Sequence, residues 1–358
     1  MIIATIFAVV LIFGLLIFLH ELGHFVAARR NGVAVEEFGL GFPPRLFGKK
    51  IGSTIYSINW LPLGGFVKLK GEDTADKSPD SFNAASFWSK TKILAAGVTM
   101  NLLTAYLILV WLCVSGLPPL LQDQFSFGTP TYSQPKQVMV VQVAPGSPAE
   151  KGGIEQGDMI TAANGQSIQD DQELLDFTRS NAGQTVTFET QQDGQTEQVQ
   201  VTLLDNVESG FLGVTPMQTY KLQYTLLDGV VTAAGLTAQL MWATLAAFGG
   251  LVVGLFTQGQ VSEQVAGPVG IVAILTNIMQ FGMAYVLTFV ASISISLAVI
   301  NALPLPALDG GRWFMLAVQQ VTGRKLSERV EAAVHATGFF ALITLMVVVT
   351  FFDIQRLR

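Results

Sequence analysis

Histidine, cysteine and charge are all scarce in this chain. Three histidines and one cysteine stand among 358 residues, and only 13% of positions are charged. A lone Cys113 excludes an intrachain disulfide and leaves no thiolate cluster to hold zinc. The net charge of −6 is spread without any basic run or patch. Nothing is therefore available to neutralise a phosphate backbone, and nucleic acid is excluded as a partner. No basic segment precedes the first apolar run, so a cleaved signal peptide is not expected. Hydrophobic residues fill the gap: they make up 50% of the chain, and the mean hydropathy is +0.48. That is the composition of a membrane protein, with the lipid bilayer as its solvent.

Two of the three histidines stand together. From Ile2 to Leu19 only Thr5 and Gly14 interrupt an apolar run long enough to cross a bilayer. The run ends in His20-Glu21-Leu22-Gly23-His24. Histidines four apart lie on one helix face, about one turn apart, where both imidazoles reach one metal. The glutamate within such a motif is the general base of a metalloprotease. Polar groups of this kind are costly inside a membrane segment and mark function there.

Four segments read as spans: Ile2–Ala28, Ile93–Leu112, Met283–Leu303 and Ala332–Phe352. Ten lysines and arginines lie between the first two and four between the last two. The much longer stretch from Pro118 to Gly282 holds only Lys136, Lys151, Arg179 and Lys221. Positive charge marks the cytoplasmic side, so both termini and the long middle region are expected outside. His20 and His24 then fall near the cytoplasmic end of the first span. In the basic first loop, Ser53–Ile58 and Phe66–Leu69 read as two short strands around Trp60-Leu61-Pro62-Leu63-Gly64-Gly65. This cytoplasmic hairpin is expected to fold back near the motif. Ser81–Lys92 suits an interfacial helix. Gly97-Val98-Thr99-Met100-Asn101 allows close helix approach in the second span, with Asn101 read as packing rather than chemistry.

From about Lys136 the composition becomes that of a soluble α+β domain. Val138–Val143 alternates as a strand, Asn164-Gly165 signals a tight turn, and Asp170–Ser180 reads as a helix. Thr185–Thr190 and Thr196–Leu203 alternate around Asp193-Gly194. This pattern resembles a PDZ domain, carried by Ser147-Pro148-Ala149, Gly157-Asp158 and Asn164-Gly165. Such folds take extended peptides at an open sheet edge. Val230–Phe256 is apolar enough to span. However, the second span ends outside and the third starts outside, so the chain between them crosses an even number of times. That segment is accordingly read as interfacial or re-entrant. The expected organisation is a membrane half over 1–117, a PDZ-like domain over 136–205, a helical region over 206–282 and a second membrane half over 283–358.

A catalytic zinc needs a third protein ligand. Asn301-Ala302-Leu303-Pro304-Leu305-Pro306-Ala307-Leu308-Asp309-Gly310-Gly311 offers Asp309, just past a span oriented like the first. Its prolines break the helix, and its glycines permit close approach. His335, early in the fourth span, is the weaker candidate. Together, the HExxH in a first span, this Asn-x-x-Pro-x-Pro-x-Leu-Asp-Gly-Gly after a third and the PDZ-like domain between resemble the site-2 protease family. The likeness is to the bacterial branch typified by the regulator of sigma-E protease. It implies that His20, His24 and Asp309 bind Zn2+, that Glu21 is the catalytic acid/base, and that Asn301 lies near bound substrate. It further implies a multi-pass zinc metalloprotease of the cell membrane acting on single-span membrane proteins, such as anti-sigma factors or signal-peptide remnants. Phe66 and Val67 after Gly64-Gly65 resemble the family's re-entrant β element, and with Tyr56 they are the residues expected to hold an unwound substrate. Gly267-Pro268-Val269-Gly270-Ile271 also has a family look, without a physical role of its own. One departure stands out: the sigma-E type carries two tandem PDZ domains, and this chain has room for one. The alternatives are a catalytically inactive PDZ scaffold, against which Glu21 and Asp309 count, and a membrane metal transporter, which needs no such glutamate.

Overall fold

The computed structural model describes residues 2–356 apart from 73–75, 77, 122, 135, 193–194, 206–210, 258–264 and 325–326. The turn expected at Asp193-Gly194 lies outside the described residues. In chain order the elements are α1 (Ile2–Arg30), β1 (Val35–Ile51), β2 (Thr54–Leu69), α2 (Phe87–Ser115), β3 (Tyr132–Ser133) and β4 (Gln137–Val143). Then come α3 (Pro148–Gly152), β5 (Met159–Ala163), β6 (Gln166–Ser167), α4 (Asp171–Ser180), β7 (Thr185–Gln192), β8 (Gln195–Thr202), β9 (Val214–Thr219) and β10 (Leu222–Gln223). The chain closes with α5 (Leu226–Thr257), α6 (Pro268–Ile278), α7 (Met283–Ala302), α8 (Asp309–Thr322) and α9 (Glu328–Arg356). Two compact units result: Met1–Leu109 with Ala234–Thr276 and Phe289–Arg358, and Val110–Ala233 with Asn277–Thr288.

Five helices are long and apolar enough to cross a bilayer: Ile3–Arg30, Phe87–Ser115, Leu226–Leu255, Met283–Ala302 and Arg329–Arg356. Four of them coincide with the expected spans to within a few residues at each end. The fifth holds residues 230–256, read as interfacial or re-entrant. They belong to one unbroken helix of 32 residues, about 48 Å long, which removes the re-entrant alternative and leaves the interfacial one. A re-entrant turn needs a helix breaker, and no proline falls in this stretch; its glycines stay within the helix.

The interfacial helix expected over Ser81–Lys92 is also shorter than the sequence suggested. Helix begins only at Phe87 and continues into α2. The preceding residues turn instead, because the Ser81 hydroxyl accepts the Ala84 N–H at 3.2 Å and donates to the Asp76 carbonyl at 2.9 Å. Ser86 then receives the Ser89 N–H at 3.2 Å and starts the helix.

The β element differs from the expected hairpin as well. The turn lies at Gly52-Ser53, and Trp60-Leu61-Pro62-Leu63-Gly64-Gly65 sits inside the long strand β2. Both strands bend, so each serves twice. Lys49, Gly48 and Phe47 pair with Tyr56, Ser57 and Ile58, and those residues also sit opposite Phe38, Gly39 and Leu40. Phe38, Gly39 and Leu40 in turn face Val67, Phe66 and Gly65. Four layers follow, with 54–59 and 35–40 inside and 45–51 and 65–69 at the edges. Buried Val35, Leu69, Phe82, Ile93, Leu94 and Ala28 fasten this element to α1 and α2.

The start of α6 gives the Gly267–Ile271 motif a physical role. The buried Asp353 carboxylate near the end of α9 accepts the Gly267 N–H at 3.2 Å and the Gly270 N–H at 2.8 Å. These are orphan donors at a helix start. A Cβ on Gly270 would stand 3.0 Å from that carboxylate, so glycine leaves room for the cap.

The second unit holds the α+β domain. Its sheet runs β8-β7-β5-β4-β9, with β6 paired to β5. Val138, Val140, Ile160, Val186, Phe188 and Val201 fill the core with Ile154 and Leu174. Local chemistry sets the helices: Ser147 accepts the Glu150 N–H to start α3, and Asp170 accepts the Glu173 N–H at 2.8 Å to start α4. Asn164 and Gly165 take φ of 49° and 76° in the tight turn between β5 and β6. The sheet reaches beyond residue 205, because β9 pairs along β4 from Gln137↔Thr219 to Val143↔Val214.

Candidate active site

Two glycines bring α1 and α2 together at the histidines. A Cβ at Gly23 would run into the Ala96 backbone, and one at Gly97 would lie 2.7 Å from the His20 ring. Small residues at these two points let the helices close over the imidazoles, each only 8% exposed. Each ring is oriented by its far nitrogen. His24 Nδ1 lies 2.8 Å from the Ile93 carbonyl, which only a protonated nitrogen satisfies, so in the neutral ring Nε2 carries the lone pair. His20 Nδ1 lies 3.3 Å from the Asn101 side-chain amide. Asn101 is buried at 1% exposure, and its backbone carbonyl accepts the Ser294 hydroxyl from α7 at 2.8 Å. Asn101 thus does more than pack. Its partner lies 81 residues away, a pairing that no local pattern reveals.

Asp309 opens α8 after the loop 303–308. Its Oδ2 stands 3.1 Å from His20 Nε2 and 3.2 Å from His24 Nε2, while the two Nε2 atoms are 3.1 Å apart. Among the described residues this is the one cluster of such side chains able to share a metal. The donor set fits zinc. Ligands at about 2.0–2.1 Å in a tetrahedron stand roughly 3.3 Å apart. With His24 neutral, its Nε2 and Asp309 Oδ2 are both acceptors, a pairing that a cation between them would satisfy.

Glu21 lies beside the triad and shares the electrostatic environment of His20, His24, Asp309 and Glu72. The edge segment 65–69 passes next to it: a Cβ at Gly65 would stand 3.2 Å from Glu21 Cγ. Phe66 pairs with Gly39 and Val67 with Phe38, so both belong to this edge. Tyr56 does not. Its segment is paired on both sides, and its ring packs with Phe25 and Phe38 at centroid distances of 6.0 and 6.2 Å. Tyr56 therefore supports the element from inside and has no free ladder for a substrate. Asn301 lies in the last turn of α7 and donates to the Leu297 carbonyl at 2.9 Å. The Arg312–Glu72 ion pair, which the sequence did not suggest, joins the first turn of α8 to the end of the edge segment.

Known proteins match this arrangement along the chain. The model of peptidase family M50 matches residues 8–345. A zinc metalloprotease relative in Clostridium perfringens is 35% identical over 346 residues, covering 96% of each chain. The regulator of sigma-W protease RasP of Bacillus subtilis is 27% identical over 440 residues, covering 100% of each. Among solved structures, the PDZ domain of the SdrC-like protein Lmo2051 from Listeria monocytogenes shows 28% identity, with a TM-score of 0.21. It covers 22% of this chain and 86% of that one. Matched by zinc metalloproteases along nearly its whole length, the chain belongs to peptidase family M50 and is an intramembrane zinc metalloprotease.

Proposed function

We propose that His20, His24 and Asp309 hold the zinc, that Glu21 moves the proton, and that the substrate is the membrane segment of a single-span protein, cut in regulated intramembrane proteolysis. The observation that carries this reading is the triangle of Nε2, Nε2 and Oδ2 atoms, 3.1–3.2 Å on a side, next to a glutamate. Zinc held there supplies Lewis acidity. The remaining work falls to the chain itself. Glu21 takes a proton from the attacking water and returns it to the leaving amine nitrogen, so the peptide C–N bond breaks as the new C–O bond forms. The Ile93 carbonyl and Asn101 keep the imidazole nitrogens aimed inward.

A substrate helix hides its carbonyls in its own hydrogen bonds and must be unwound. The segment 65–69 has no strand beyond it among the described residues and lies beside Glu21. It suits strand addition, with Phe66 and Val67 as the contacts. Asn301 keeps a second N–H for the substrate backbone. The Bacillus subtilis relative's name, regulator of sigma-W protease, suggests anti-sigma factors as one substrate class.

The topology follows the charge asymmetry: both termini outside, and the site towards the cytoplasm. Four crossings fit this, with α5 lying against the bundle. Its start packs Gly229 against Cys113 and Val114 near the end of α2, and its last turns pack Leu251 and Leu255 with Val349 and Phe352 late in α9. By charge, both neighbouring helix ends are outer ones. The metal assignment is tested by metal analysis of purified Asp309→Ala. Zinc content is expected to fall with activity, and full retention would place the third ligand elsewhere.

A further inference from the structure

The loop carrying Asp309 has a shape it cannot hold alone. Residues 303–308 contain two prolines, and Ala307 sits at φ 74°, in the left-handed region that residues other than glycine avoid. Inside the loop, the Leu305 N–H reaches the Leu303 carbonyl at 2.7 Å and the Leu308 N–H reaches the Leu305 carbonyl at 3.3 Å. The Ala307 N–H goes outside it, to His335 Nδ1 on α9 at 3.0 Å. One turn further along the same helix, Gly338 leaves space for Pro306: a Cβ there would stand 2.6 Å from the Pro306 carbonyl oxygen. His335 and Gly338 are three apart and share a helix face. That face of α9 is the seat of the loop.

We propose that His335 is a positioning residue for Asp309. It accepts the Ala307 N–H and holds the loop in the conformation that brings Oδ2 to the two imidazoles. As an acceptor at Nδ1, His335 is neutral and carries its proton on Nε2. It is not a ligand itself: the cluster able to share a metal comprises His20, His24 and Asp309. The inference rests on the zinc assignment above and extends it from the ligands to the residue that aims one of them.

The test measures zinc dissociation constants of the full chain in detergent, by competition with a chromophoric chelator, together with kcat and KM on one membrane-segment substrate. His335→Ala is expected to weaken zinc binding roughly 10- to 100-fold, the range for lost outer partners of a metal ligand. Its kcat should fall while KM stays. An asparagine places its amide oxygen where Nδ1 was, whereas a glutamine places it where Nε2 was. His335→Asn should therefore restore most of the affinity and His335→Gln should not. Gly338→Ala, which pushes on the Pro306–Ala307 peptide while leaving His335 in place, should weaken zinc in the same direction. Equal impairment in the Ala, Asn and Gln variants would make His335 a matter of packing and overturn the proposal. So would wild-type zinc affinity in His335→Ala while Asp309→Ala loses it. Unchanged affinity in Asp309→Ala would instead remove the ligand assignment itself.

Discussion

Two imidazole nitrogens and a carboxylate oxygen lie within 3.1–3.2 Å of one another, and the proposed chemistry follows from that triangle. The residues of the triangle were legible because HExxH is a local pattern and an aspartate followed by two glycines after broken helix is a nearly local one. The residues that aim them were not. Asn101 and His335 look like stray polar groups in apolar helices, and their partners lie 81 and 28 positions away. Two outcomes are expected at this scale. Glu21→Gln should keep its zinc and lose cleavage, because an amide leaves the ligands in place but moves no proton. Metal analysis beside an activity assay decides it, and zinc loss equal to that of His20→Ala would put Glu21 in the ligand set. Asn101→Leu removes the partner of His20 Nδ1 and should weaken zinc binding about 10-fold or more, with the helical circular dichroism unchanged. Unaltered affinity would return Asn101 to a packing role.

Elements were read with mixed success, and the misses have physical causes. Apolar length identified the helices. The chain segment Trp60–Gly65 looked like a turn because its proline and two glycines are turn residues. It is instead where a long strand bends beside α1, with Gly65 leaving room for Glu21. Strand β1 escaped notice because Glu36, Glu37, Gly39, Gly41 and two prolines blur any alternation. α5 shows a different limit: composition says that a helix can cross, not that it does. If its ends lie on one side, Leu227→Cys and Thr257→Cys, each exposed and placed in a Cys113→Ala background, will both react with a membrane-impermeant thiol reagent from outside. Labelling from opposite faces would make α5 a true crossing and require another return before α7.

At the scale of the whole molecule, chemistry and recognition occupy separate parts of the chain. Every residue assigned to zinc or proton transfer belongs to the first compact unit, and the α+β domain belongs to the second. Among the described residues that domain has an open sheet edge at β9, with α4 beside it, an arrangement suited to an extended peptide. β9 went unread in the sequence because Pro216 sits inside it, and a proline argues against a central strand; at an edge it is tolerated. On the proposed topology this domain faces the outside, and its expected work is to control access. It can exclude substrates with bulky outer domains or hold a newly trimmed tail at β9. The structure also shows where to cut. Gln137 and Thr219 face each other as a ladder pair, so removing Val138–Gln218 leaves two ends about 5 Å apart, which a short glycine linker closes. Removing only Val138–Leu203 would strand β9 without its partner. The longer deletion should keep zinc, cut the trimmed form of a substrate at the wild-type rate, and now cut the untrimmed form as well. If it fails on the trimmed form while zinc stays bound, the domain delivers substrate to the site and does not merely exclude the wrong ones.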